Sequence, residues 1–94
     1  MNIIRETMLN NSRNIKTTLL NNTLDLLAQA SEDQADPGWC VDVLKIRKLP
    51  LDKKEEWIKK LLDDTVHYSL ASDFCVSALN SCLDIVRELS IEIQ

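Results

Sequence analysis

Residues 73–93 read DFCVSALNSCLDIVRELSIEI, and this stretch decides the fold. At about 100° per residue, Phe74, Cys75, Ala78, Leu79, Cys82, Ile85, Val86, Leu89 and Ile93 group on one side of a helix. Asp73, Ser77, Asn80, Asp84, Arg87 and Glu88 group on the other. No glycine or proline interrupts the pattern. A helix with one apolar face has to bury it against other elements, so the rest of the chain is read for partners of the same kind.

Working backwards, Trp57, Ile58, Leu61, Leu62 and Thr65 mark one face of a second helix. Asp52, with Glu55 three residues on, has the spacing of a capping box at its start. The apolar face rotates by about a quarter turn between Leu62 and Phe74 at that same helical step, so one straight helix does not span both segments. Asp64-Thr65 and Ser72-Asp73 are both credible boundaries. Residues 49–51 (Leu-Pro-Leu) form a connection, and residues 39–49 are expected to be a short helix, since a lone strand would have no partner. Residues 31–38 (SEDQADPG) are polar, acidic and breaker-containing, which predicts a loop. Asp36-Pro37 then reads as a cap followed by a first-turn proline.

The first segment, from Asn2 to Ala30, has neither glycine nor proline. Asn2 is its expected N-cap. Ile4, Met8, Leu9, Ile15, Leu19, Leu20, Leu26 and Leu27 are expected on one side. Asn10-Asn11-Ser12 is a weak point, and a break there and a continuous helix are both open. These elements predict an all-α fold, a bundle of about four helices. Glycine occurs once, at Gly38, and proline twice, at Pro37 and Pro50, too few for the turns a small sheet protein needs.

Ninety-four residues make one domain, which on folding buries roughly 60–65% of the surface of its unfolded chain. The formal charge of −4 argues against general affinity for nucleic acid or anionic membrane. No run approaches the ~20 apolar residues of a membrane span, and the N-terminus lacks the pattern of a secretory signal. Three cysteines, Cys40, Cys75 and Cys82, have no metal-binding spacing and an odd count. Free thiols in the cytoplasm are the expectation. Cys75 and Cys82 lie mid-stripe on the apolar face, where buried, inert thiols are expected.

His67 is the only histidine. Asp63 and Asp64 precede it by a turn, yet no second motif supplies the remaining ligands of a metal site. No phosphate-binding glycine loop, nucleophile elbow or His-Glu-x-x-His is present. Catalytic residues, metal and cofactor are therefore not expected.

Two features carry the functional reading. Seven of the eleven basic residues, Lys45, Arg47, Lys48, Lys53, Lys54, Lys59 and Lys60, fall in residues 45–60, which with Asp52, Glu55 and Glu56 carry +4. This basic corner, flanked by Trp39 and Trp57, is a candidate partner-binding surface. Asn10, Asn14, Thr17, Thr18 and Asn21 give the first helix an almost uncharged side, a candidate self-interface. The expected function is a non-enzymatic protein–protein interaction module of the regulator, adaptor or inhibitor kind, acting through a helix face as a homodimer. A nucleic-acid-associated regulator using residues 45–60 is the alternative. A small metal- or thiol-dependent enzyme built on His67 and Cys40 is the second.

Overall fold

The computed structural model describes residues 3–33, 37–65 and 73–93. The expected caps Asn2 and Asp36, the histidine His67, Ser72, and the side chains of Thr65 and Ile93 lie outside that set. Four helices account for the described residues: α1 (Ile3–Asp33), α2 (Pro37–Arg47), α3 (Leu51–Thr65) and α4 (Asp73–Ile93). The architecture is a small all-α bundle. Packing follows chain order: α1 lies against α2, α2 against α3, α3 against α4, and α4 closes the ring on α1. Among the described residues the diagonal pairs, α1 with α3 and α2 with α4, do not meet.

One apolar cluster holds the ring together. From α1 it takes Leu20, Leu24, Leu27 and Ala28, from α2 Trp39, Val43 and Ile46, and from α3 Ile58 and Leu61. From α4 it takes Cys75, Leu79, Cys82, Leu83, Ile85, Val86 and Leu89. Each set repeats at three- and four-residue steps, the spacing that keeps side chains on one side of a helix. Burying a side chain of this size stabilises the fold by about 1.5–3 kcal/mol.

Helix α1 is unbroken through Asn10-Asn11-Ser12. Asparagine and serine are weak helix formers that cost tenths of a kcal/mol each, and nothing at these positions forbids the conformation. The helix also continues past Ser31 to Asp33, and Pro37-Gly38 belongs to the first turn of α2, so helix occupies both ends of the expected loop. Proline suits a first turn because its missing N–H would have had no intrahelical acceptor there. The capping box at Asp52 does not form. The Pro50 carbonyl already accepts the Lys54 N–H at 2.9 Å, placing Asp52 inside the first turn of α3, and the Glu55 carboxylate turns to Arg87 on α4 at 3.1 Å.

At 31 residues and 1.5 Å per residue, α1 runs about 46 Å, while α2 and α4 cover only the part from about Lys16 onward. Hence the extents of 51 × 22 × 20 Å and a radius of gyration of 14.6 Å, against about 12 Å for a compact chain of this length. Residues 3–15 project from the body as a helical arm. Every one of them is exposed except half-buried Ser12. Lys16 marks the root of the arm, where its ammonium meets Glu88 of α4 at 3.3 Å.

Candidate interaction surface

The apolar residues of α1 divide into two faces. Leu20, Leu24, Leu27 and Ala28 point into the bundle. Met8, Ile15, Leu19 and Leu26 remain 67%, 68%, 53% and 57% exposed. By helical geometry these four lie within about 40° of one another and roughly 140° from the centre of the buried face. The single side expected for the leucine-rich stripe is thus two nearly opposite sides. Leu19 and Leu26 stay exposed although they sit beside the bundle, because α2 and α4 embrace α1 from the other direction. Ile4 extends the exposed stripe towards the N-terminus.

The surface of this stripe is dimpled in a regular way. One hollow is bordered by Met8, Asn11, Ser12 and Ile15, with Lys16 at its edge. The next is bordered by Ile15, Thr18, Leu19 and Asn22, with Asn14 at its edge. Both are i, i+3, i+4, i+7 diamonds, seven residues apart and sharing Ile15. A diamond of this kind is the hole that receives a knob side chain from a neighbouring helix in a coiled coil. The rim is uncharged on one flank, where Asn11, Thr18 and Asn22 lie. A third hollow of the same spacing, bordered by Glu6, Leu9, Asn10 and Arg13, sits on another side of the arm, so the apolar border and not the spacing distinguishes the stripe.

The asparagine- and threonine-rich side expected as a self-interface lies elsewhere on the helix. Asn10, Asn14, Thr17 and Thr18 are exposed and Asn21 is half-buried. Their centre is about 130° around the axis from the apolar stripe, with Asn14 and Thr18 reaching its border.

The basic segment is largely engaged with itself and its neighbours. Lys53 and Lys60 pair with Glu56 at 3.6 and 3.9 Å, Lys59 with Glu55 at 3.4 Å, and Arg47 with Asp25 of α1 at 3.0 Å. The Glu55 carboxyl is held below its usual range, first by the hydrogen bond from Arg87 and then by Lys59. Lys45 and Lys60 sit over the ring of half-buried Trp57, 4.8 and 4.9 Å from its centre. That is cation–π distance, and it ties α2 to α3. Trp39 is in the core. Lys48 is exposed.

Lys54 departs most from the expectation of a surface contact. It is 8% exposed, and its ammonium donates to the carbonyls of Ile46 and Arg47 at 3.0 and 2.6 Å. These carbonyls end α2, where the chain tightens through i→i−3 bonds from Lys48 N to Lys45 O and from Leu49 N to Ile46 O. A cation at this end also suits the helix dipole. Burial, and then the Arg47 charge, lower the Lys54 pKa. The residue is a structural cap. A signal for it is present in the sequence: Lys54, Ile58 and Leu61 follow the i, i+4, i+7 spacing of the core face of α3.

The described chemical candidates are the cysteines of α2 and α4. Cys40 is half-buried, Cys75 and Cys82 are buried, and no disulfide joins any of the three. Burial pushes the Cys82 thiol up to about 11, the opposite of what a nucleophile requires. Among the described residues no group of three or more His, Cys, Asp or Glu side chains is placed to hold a metal ion, and no helix is long and apolar enough to cross a membrane. No protein-family model, curated protein or solved structure matches the chain.

Proposed function

We propose that this chain is a binding protein and not an enzyme, a small helical body carrying an arm that docks, through its apolar stripe, against a helix of another polypeptide. The carrying observation is the exposure of Met8, Ile15, Leu19 and Leu26 on one line of α1. Together these side chains leave on the order of 400 Å² of apolar surface in water, within the ~300–600 Å² typical of the largest, often functional, patch on a monomer. The hollows between them have the spacing of helix-receiving holes.

The arm itself supports the same reading. Residues 3–15 (IIRETMLNNSRNI) are rich in β-branched residues and asparagine, all weaker helix formers than alanine, leucine or lysine. Most helical stability in proteins comes from packing an apolar face against other elements, and the arm, although it continues an anchored helix, packs no such face. A helix that runs to Ile3 with no covered face therefore fits a segment ordered by a partner. Regulator, adaptor and inhibitor are all roles that such docking can serve.

The test is retention from native lysate by the tagged chain and by its Ile15→Glu variant, with urea unfolding to show that the four-helix body of both is equally stable. The reading requires at least one species, a lysate protein or added untagged chain, held by the first and lost by the second. Identical retention profiles would sink it.

A further inference from the structure

We infer that the helix docking on the apolar stripe of α1 is α1 of a second copy, running antiparallel, with the two-fold axis passing near Thr17. This rests on the docking role proposed for the same stripe and names its occupant.

Three observations single out a second copy. First, the stripe carries both halves of a helix–helix contact: its holes recur every seven residues, and its knobs do too, Met8 with Ile15 and Leu19 with Leu26. Placing the axis near Thr17 sets Met8 opposite Leu26 of the partner subunit and Ile15 opposite Leu19 of the partner subunit. The intervening layer sets Ser12 opposite Asn22 of the partner subunit, so apolar meets apolar and polar meets polar throughout. A self-complementary patch of this kind is what a two-fold interface demands.

Second, charge chooses the direction. Residues 3–19 hold Arg5, Arg13 and Lys16 against Glu6, a net +2, while residues 20–33 hold Asp25, Glu32 and Asp33, a net −3; with Lys16 and Asp25 set aside, since Glu88 and Arg47 pair with them within the chain, the halves keep +1 and −2. An antiparallel pair lays each positive half along a negative half, and the two helix dipoles also oppose. A parallel pair would stack like on like.

Third, the projecting arm gives the chain more surface than a compact fold of its size, enough to cover an interface. The accessible area is 6248 Å², whereas a compact monomer of 10.7 kDa has about 5,500 Å². The excess of roughly 700 Å² is close to the ~800 Å² that each partner contributes to a standard stable interface. The bundle sits on the far side of α1 from the stripe, so each body lies clear of the other helix.

The experiment is sedimentation equilibrium of the full chain at micromolar concentrations, beside Ile15→Glu and, on the uncharged opposite side, Asn10→Glu. Expected are twice the chain mass for the wild type and for Asn10→Glu, and one chain mass for Ile15→Glu. Its dimer would bury two unpaired carboxylates, weakening association by about a hundredfold or more. Because Ile15 is exposed in the single chain, the variant keeps its folded body, and any loss of helix content is confined to the arm. Register is read from oxidative cross-linking on a Cys40→Ser background. Ser12→Cys combined with Asn22→Cys should link covalently, and Ser12→Cys alone should not. Efficient linking by Ser12→Cys alone would overturn the antiparallel arrangement, and a wild-type monomer up to about 100 μM, far above the Kd of a stable dimer, would overturn the second copy as occupant. If such a monomer still retains a lysate protein in an Ile15-dependent way, the docking role stands without this inference. If it retains none, both fail.

Discussion

Replacing Lys54 by methionine isolates the cost of an uncapped helix end. The variant keeps the unbranched stem packed beside Ile58 and removes two donations from the ammonium, to Ile46 O at 3.0 Å and to Arg47 O at 2.6 Å. Hydrogen bonds to a charged donor contribute about 1.5–3 kcal/mol each; the Ile46 carbonyl keeps the Leu49 N–H at 3.1 Å, so the part-buried Arg47 carbonyl is the one that loses its donor. Against this stands relief from desolvating the ammonium, visible in its lowered pKa. The balance is a destabilisation of about 2 kcal/mol, which in a domain of this size lowers Tm by roughly 8–16 °C. Lys53→Met is the control. Lys53 makes only an exposed ion pair with Glu56 at 3.6 Å, of the kind worth 0–1 kcal/mol. Urea unfolding followed by helical ellipticity, at one fixed chain concentration so that self-association cancels, gives both values. A Lys54→Met protein within 0.5 kcal/mol of Lys53→Met, on the measured urea scale, would refute the capping role.

Other expectations are simpler to state. Leu24→Ala, at a fully buried site of α1, should cost about 2–5 kcal/mol, while Leu26→Ala, two residues on and outward-facing, should cost a folded monomer less than about 0.5 kcal/mol; equal losses in the Ile15→Glu background would contradict the two-face description. The Cys82 pKa is raised from 9.0 to about 11, so above pH 9 the unfolded chain gives up its proton before the folded one. Stability should therefore fall between pH 9 and 11, by up to roughly 3 kcal/mol relative to Cys82→Ala, and parallel pH profiles would remove Cys82 as the cause. Thiol labelling under native conditions should reach half-buried Cys40 well before Cys82, and equal rates would show that α4 opens to solvent. Arg87→Ala breaks a contact with Glu55 that bridges α4 to α3 but is exposed, so a loss above about 1 kcal/mol in thermal melts would mean more than a surface pair.

Much of the fold is legible in residue spacing. The α4 stripe, from Cys75 through Leu79, Cys82, Ile85 and Val86 to Leu89, is buried as its period implies, and so are Ile58 and Leu61 of α3. Phe74 shares that period yet is 58% exposed, because it stands in the first turn of α4, and periodicity does not say how far neighbouring helices extend. The same limit explains α1. Met8, Ile15, Leu20 and Leu27 all fall within a half-turn, so one broad apolar side and two narrower faces read alike until the ends of α2 and α4 are placed. Charge groups Lys54 with its basic neighbours, although its spacing puts it with Ile58 and Leu61. There the apolar stem and the helix-end carbonyls outweighed the preference of an ammonium for water.

Amide hydrogen exchange along α1 tests the docking face most directly. The measurement compares wild type with Ile15→Glu at a concentration where the wild type is associated. A covered arm predicts slow exchange for residues 5–15 in the wild type and fast exchange in Ile15→Glu, with the amides of residues 20–30 alike in both. Fast exchange across the arm in both proteins, or equal protection in both, would contradict the claim that this stripe is a contact surface.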